Sequence, residues 1–365
     1  MIKKIVLTGG PGSGKTTVIE SIKKNFGGKY KIIISNETAS HLMSMGLRPF
    51  GDSPISIIDF QELVLREQLS KEEIIDLGLN YIPNKNIIII YDRGLLDNQA
   101  YISEDEFKKV INRLDKKYTV NDFLDRYDLI INLVSREDFY TTENNPERTE
   151  DVESALSLGK KTLNAWMGHK NLKIVSPKDN INDKIKEVLN YINKILEEEE
   201  VKSQKKYYVD LEDTDIAYLR SISKVANIEQ SYLQGADNIE KRLRKITMNG
   251  FTTYSYTIHR TNPNGKVVKI SDKSISRDMY EELLEFQDNN KETIIKERFY
   301  FPYKDKYFTL DLIDDYGLLE VNITDEKEIE LPPFINVIED VTTKEECLNR
   351  NLANKNRKQY VKKII

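Results

Sequence analysis

Gly9-Gly10-Pro11-Gly12-Ser13-Gly14-Lys15-Thr16 decides the fold of the first half of this chain. The spacing G-x-x-x-x-G-K-[ST] is complete, with apolar Ile5-Val6-Leu7-Thr8 before it and a helix-compatible stretch from Lys15 onward. That strand–loop–helix context is what a phosphate-binding loop requires. Its glycines let successive backbone N–H groups turn toward one anion without a Cβ in the way. The helix behind the loop directs its positive end at the same anion. Gly10, Gly12, Ser13, Gly14, Lys15, Thr16 and Thr17 are therefore expected to hold the phosphates of a nucleotide, ATP or GTP. Lys15 has the reach for the β- and γ-phosphates, and the Thr16 hydroxyl can ligate Mg²⁺. A plain Gly-rich turn would not account for the Gly-Lys-Thr ending in this context.

Outward from the loop, short apolar runs alternate with helical stretches. The runs are residues 5–7, 32–34, 87–90, 129–133 and 172–175, and several lack polar alternation, as strands covered on both faces do. Amphipathic segments at 55–77 and 152–166 lie between them. This rhythm predicts a doubly wound parallel α/β sheet over residues 1–200. A last helix from Asn182 ends in Glu197-Glu198-Glu199-Glu200, acids that oppose the helix dipole and mark a boundary. From residue 204 to 365 the pattern is strand-like alternation at 228–233, 251–259, 267–270, 293–301 and 307–313, with helices expected at 277–286 and near 343–353. The second domain is thus expected to be mainly antiparallel β.

At 365 residues, with 39% hydrophobic and 32% charged residues, the chain reads as soluble and globular rather than disordered. No run approaches the ~20 apolar residues that span a bilayer. One cysteine, Cys347, and three scattered histidines rule out a Cys/His zinc site and suggest a reducing, cytoplasmic setting. The net charge of −5 disfavours nucleic acid as a partner but leaves room for a local basic pocket.

A second chemical element is Asp92-Arg93-Gly94 at the end of the apolar run 87–91, continuing as D-R-G-x-x-D-x-x-A-Y to Tyr101. An acid at the carboxyl end of such a strand can hold the Mg²⁺ shell or orient an acceptor. With the loop, this pattern resembles the AAA-labelled, kinase-like P-loop domains, similar in layout to nucleoside and nucleotide kinases, over roughly residues 1–200. The resemblance points to Glu37, just past the second strand, as a carboxylate at the acceptor side, and to Arg93. It also implies a lid over the polar stretch 137–147, with Arg136 and Arg148 available to neutralise charge on the transferred group. Trp166 and Phe60 read as core residues rather than base platforms.

In the second half, Asn227-Ile228-Glu229-Gln230-Ser231 is similar to the opening E-x-E-x-K of CYTH domains, the triphosphate tunnel family. Arg242-x-Arg244, Tyr256 to Arg260, Arg277 with Glu281, Lys296-x-Arg298, Asp311, Glu320-x-Asn322, and Val341-Thr342 with Asn349 to Ala353 resemble its later motifs in order. The resemblance implies a tunnel barrel whose phosphate-binding set is Glu229, Arg242, Arg244, Arg260, Arg277, Lys296, Arg298, Asp311 and Glu320. Alternating cations on strands project to one face of a sheet, which agrees with that reading. Asparagine at 227 and 322, Ser231 and His259 depart from the motifs, so metal binding and hydrolysis there are expected to be weak. An anionic phosphate-bearing small molecule or lipid headgroup is the expected ligand.

Together the two halves resemble the family that includes insect TRPL-translocation-defect proteins. The leading expectation is a Mg²⁺-dependent P-loop NTPase or small-molecule kinase with a fused phosphate-ligand domain. The alternatives are a nucleotide switch with slow hydrolysis and a triphosphatase acting in the tunnel.

Overall fold

The computed structural model describes residues 1–83, 86–116, 118–135, 152–197, 203–262, 267–314, 316–323 and 329–355. The chain divides into two compact units, one built mainly of residues 1–201 and one of residues 202–303 and 307 onward.

The first unit runs β1 (Ile2–Thr8), α1 (Lys15–Phe26), β2 (Lys31–Ser35), α2 (Thr38–Ser44), α3 (Ile57–Leu79), β3 (Ile87–Asp92), α4 (Glu104–Asn112), α5 (Val120–Leu124), β4 (Leu129–Leu133), α6 (Val152–Trp166), β5 (Leu172–Val175) and α7 (Ile181–Leu196). All five apolar runs are strands. They form one sheet in the order β2-β3-β1-β4-β5, with parallel pairings throughout. Ile87, Ile88, Ile89 and Ile90 are fully buried because β3 is covered on both faces. On one side Ile5, Leu7, Ile88, Ile90 and Ile131 pack on Val18, Ile22, Val188 and Ile192 of α1 and α7. On the other, Tyr91, Tyr127 and Trp166 meet edge to face at 5.3 and 5.5 Å. Trp166 and Phe60 are 0% and 3% exposed, as core residues should be. Capping moves two helix starts from their expected positions. Ser56 accepts from the Asp59 N–H, so α3 begins at Ile57 rather than 55, and Asn180 caps α7, which begins at Ile181.

His169 is sealed behind this layer, 2% exposed. Its Nε2–H donates to the Tyr127 carbonyl at 3.0 Å, and its Nδ1 accepts from the Asn171 N–H at 3.0 Å, which fixes a neutral ring. Burial, with Lys170 nearby, pushes its pKa down to about 4. The folded value lies below the unfolded one, so the unfolded chain binds more protons in between. Stability should therefore fall as pH drops from about 6.5 toward 4, by on the order of 3 kcal/mol. Urea midpoints measured at pH 7 and pH 4.5 should show this acid-side loss, and His169→Gln should flatten it.

The second unit runs β6 (Ser203–Asp210), α8 (Ile216–Ile222), β7 (Lys224–Leu233), β8 (Ile239–Met248), β9 (Phe251–Thr261), β10 (Val267–Ile275), α9 (Arg277–Leu284), β11 (Ile294–Tyr303), β12 (Lys306–Ile313), β13 (Tyr316–Ile323), β14 (Asn336–Asp340) and α10 (Asn349–Leu352). Nine strands form one antiparallel sheet, ordered β10-β9-β8-β7-β11-β12-β13-β6-β14. The fold class is thus a parallel α/β sheet carrying the glycine loop, followed by a large antiparallel β sheet. One face carries the apolar cluster of Tyr207, Val209, Phe299, Phe301, Phe308, Leu310, Leu319 and Val321. The other face carries charges, yet Lys296, Asp311 and Glu320 on it are only 3%, 1% and 8% exposed. Leu352 and Ala353 at the end of the described chain pack over part of that face, beside Val341 and Tyr232. Among the described residues, no helix is long and apolar enough to cross a membrane.

Candidate functional site

β3 sits between β1 and β2, so the carboxyl end of each opens beside the glycine loop. Leu7 pairs with Asp92 across β1 and β3, and the Arg93 N–H donates to the Leu7 carbonyl at 3.1 Å. The loop must begin with glycine. Gly9 has φ +134°, and a Cβ there would lie 2.1 Å from the Leu133 carbonyl oxygen. Gly14, with φ +88°, turns the chain into α1, whose first residue is Lys15.

Lys15 lies over the loop, its Nζ 3.1 Å from the Gly10 carbonyl, 3.2 Å from that of Gly9 and 3.3 Å from Ser13 Oγ. Burial and the neighbouring Arg93 charge hold its pKa down to about 8, against the pull of Asp92, Glu37 and Asp97. Thr16 and Thr17 are exposed on the first turn of α1. Asp92 has a buried Oδ1 with no hydrogen-bond partner, and burial raises its pKa despite Lys15. A buried, unsatisfied carboxylate oxygen at the end of β3 and an exposed threonine hydroxyl on the turn after the loop are both oxygen donors of the kind a hard cation such as Mg²⁺ takes.

Glu37 precedes α2 and turns toward the same place. Its Oε1 accepts from Arg93 Nε at 3.2 Å and its Oε2 from Ser40 Oγ at 2.8 Å. Burial pushes Glu37 up, but Arg93 and then Lys15 more than reverse this, so its pKa is lowered and it stays ionised. Arg93 holds a left-handed φ of +75°, which costs a side chain of this kind roughly 1–3 kcal/mol. Its guanidinium offsets that strain by donating to the Gly9 carbonyl at 2.7 Å, bonding Glu37 and approaching Asp97 at 3.5 Å. The rest of the D-R-G-x-x-D pattern builds the turn. Asp97 accepts from the Gly94 N–H at 2.7 Å, from Trp166 Nε1 at 3.3 Å and from the Thr8 hydroxyl. A Cβ on Gly94 would strike Trp166 at 2.7 Å.

Residues 4–184 match the AAA domain family. The match spans both motifs and the strand–helix alternation from β1 to β5. A search of curated proteins finds no match. Among solved structures, the inorganic triphosphatase NE1496 aligns at 22% identity with a TM-score of 0.31, covering 41% of this chain and 95% of that one. PH1819 and PH1012 of Pyrococcus horikoshii OT3 align at 17% and 18% identity, with TM-scores of 0.26 and 0.25, covering 34% and 33% of this chain and 80% and 79% of theirs.

The structure thus brings together Lys15, Asp92, Glu37 and Arg93 in the first unit. Arg136 and Arg148, with the stretch expected to be a lid, lie outside the described residues. Sequence reading missed Ser135 and Lys184, both of which touch the loop.

In the second unit the register divides the expected phosphate set. Residues opposite one another in a ladder share a face, as do alternate residues along a strand. Gln230 pairs with Arg244 and Tyr232 with Arg242. Lys296, Arg298, Asp311, Glu320 and Lys206 lie on the same buried face. Lys296 Nζ reaches Asp311 Oδ2 at 2.6 Å, Arg298 Nη2 reaches it at 2.6 Å, and Lys206 Nζ reaches Glu320 Oε1 at 2.8 Å. Three expected members are elsewhere. Glu229 pairs with Lys245 on the opposite face, at 2.8 Å, because it is one residue out of phase with Gln230. Arg260 is exposed, one position out of phase with His259, which instead meets Glu240 at 3.4 Å. Arg277 lies on α9, 72% exposed and bonded to Glu281 at 2.7 Å.

Asn227 is likewise on the outer face, so it is not a lost metal ligand of the charged one. The strand that opens this unit is β6, whose Gln204-x-Lys206 the sequence reading passed over. Gln204 Nε2 donates to Glu320 Oε2 at 2.9 Å. A polar-x-Lys alternation beside the domain boundary is the signal that would have found it. Among the described residues no group of three or more His, Cys, Asp or Glu could hold a metal ion.

Proposed function

We propose that the AAA domain is a kinase-like phosphotransferase that binds ATP or GTP with Mg²⁺ and passes the γ-phosphoryl group to a small nucleoside- or nucleotide-like acceptor. Glu37 carries this reading. A switch that only hydrolyses nucleotide needs the loop and Asp92, whereas a second ionised carboxylate turned to the same place offers an acceptor hydroxyl its anchor. With its pKa lowered, Glu37 serves better to accept a hydrogen bond from that hydroxyl than to pull its proton early. A loose transition state asks for little more. The acceptor oxygen bonds to the γ-phosphorus as the bond to the β–γ bridging oxygen breaks, nucleoside diphosphate leaves, and the hydroxyl proton passes to Glu37. Lys15 would balance charge on the β- and γ-phosphates, and Thr16 and Asp92 would hold the Mg²⁺ that shields them. Arg136 and Arg148 belong to this reading as closing cations. The cytoplasmic setting suggested by the cysteine content also goes with it.

For the second unit, we infer binding of an anionic phosphate-bearing small molecule or lipid headgroup on the charged face. Lys206, Arg242, Arg244, Lys296 and Arg298 lie there with Asp311 and Glu320 paired among them and Glu240 two residues before Arg242 on β8, and the Arg242 and Arg244 Nε atoms are buried without partners.

The test is nucleoside diphosphate release with and without a panel of nucleosides and nucleoside monophosphates as acceptors. Release that depends on one acceptor class, with a phosphorylated product, is expected. Release at one slow rate whatever is added would instead support the switch.

A further inference from the structure

Three side chains from outside the glycine loop hold three of its carbonyls, and the three belong to alternate residues. Arg93 Nη1 donates to Gly9 O at 2.7 Å, Ser135 Oγ to Pro11 O at 2.9 Å, and Lys184 Nζ to Ser13 O at 3.0 Å. These donors come from different elements: the end of β3, the residues after β4, and the first turn of α7. Lys184 is 7% exposed and also donates to the Val134 carbonyl at 2.8 Å. A lysine in the first turn of a helix sits against the helix dipole, so its placement needs a compensating role. Both of these hydrogen bonds go to backbone carbonyls.

The alternation has a consequence through peptide geometry. In a trans peptide the C=O of one residue and the N–H of the next point in opposite directions, and the described chain has no cis peptides. Holding the carbonyls of residues 9, 11 and 13 fixes those three peptides, so the N–H groups of Gly10, Gly12 and Gly14 point away from the three donors. Gly12 and Gly14 belong to the run of successive N–H groups from which a phosphate nest is built. We propose that Ser135 and Lys184 act with Arg93 as positioning residues, a three-point clamp that fixes the loop's amides for the nucleotide's phosphates before it binds. This rests on the nucleotide-binding reading of the loop. The clamp lowers the ordering cost that a glycine-rich segment would otherwise incur on binding.

The experiment measures the affinity of the full chain for a non-hydrolysable Mg²⁺–ATP or Mg²⁺–GTP analogue, alongside thermal unfolding, well below the melting temperature. Lys184→Met keeps the stem and removes the donor. It should weaken binding by about tenfold or more, the scale of a lost hydrogen bond from a charged group. Lys184→Arg should restore most of the affinity. Ser135→Ala, a milder change that leaves the packing intact, should weaken binding by a smaller factor. Because both donors fix one loop, the double variant should lose less than the product of the single losses. Lys184→Met binding as tightly as wild type would overturn the clamp, as would equal stability loss in Lys184→Met and Lys184→Arg with affinity tracking stability alone. If the wild-type chain binds neither analogue, the nucleotide reading itself fails, an outcome distinct from loss of the clamp only.

Discussion

Lys15→Ala should reduce nucleotide turnover by about 10²–10³-fold, the range seen when a preorganised charge at a reacting phosphoryl or acyl group is removed. The reasoning starts from the present partners of Lys15. Its ammonium rests on the Gly9 and Gly10 carbonyls and Ser13 Oγ, within reach of the anion the loop is shaped to hold. Its pKa of about 8 still leaves it mostly charged at neutral pH. Alanine removes the charge without disturbing the glycines, so the fold should survive while phosphate affinity and turnover fall together. Steady-state rates with saturating Mg²⁺ and either nucleotide check this. Retained turnover would mean that the loop does not hold the reacting nucleotide.

Asp311→Asn should destabilise the second unit by about 3–5 kcal/mol, the cost of breaking a buried ion pair from one side. Asp311 is 1% exposed, and both Lys296 and Arg298 donate to it. Burial would raise its pKa, but Arg298 and Lys296 hold it far below the usual carboxylate range. A folded pKa below the unfolded value means that its contribution is present above about pH 4 and lost only in strongly acidic solution. Denaturant unfolding of Asp311→Asn and wild type at pH 7 gives the difference. A change under about 1 kcal/mol would show that the triad is not held as described.

Strong periodicity made the first unit legible. The isoleucines of β3, the G-x-x-x-x-G-K-T loop and the D-R-G turn each state their structure locally. Asp92 and Glu37 could be found because ligands in such sheets gather at the carboxyl ends of strands. Ser135 and Lys184 could not, because their partners are backbone carbonyls more than a hundred residues away in the chain. In the second unit, strand alternation was readable but phase was not. A shift of one residue moves a side chain to the other face, and Glu229 and Arg260 fell on the wrong one. Arg242, Arg244, Lys296 and Arg298 were found because paired cations at alternate positions share a face wherever the strand begins. β6 went unread because its alternation, Gln204 to Tyr208, is mostly polar and aromatic and directly follows an acidic helix end.

Calorimetric titration of Mg²⁺–ATP and Mg²⁺–GTP into the full chain and into Lys15→Ala reads nucleotide binding at the glycine loop itself. One saturable site is expected for at least one of the nucleotides in wild type, and its loss in the variant. No binding of either nucleotide to wild type, or unchanged binding to Lys15→Ala, would contradict nucleotide binding at that loop.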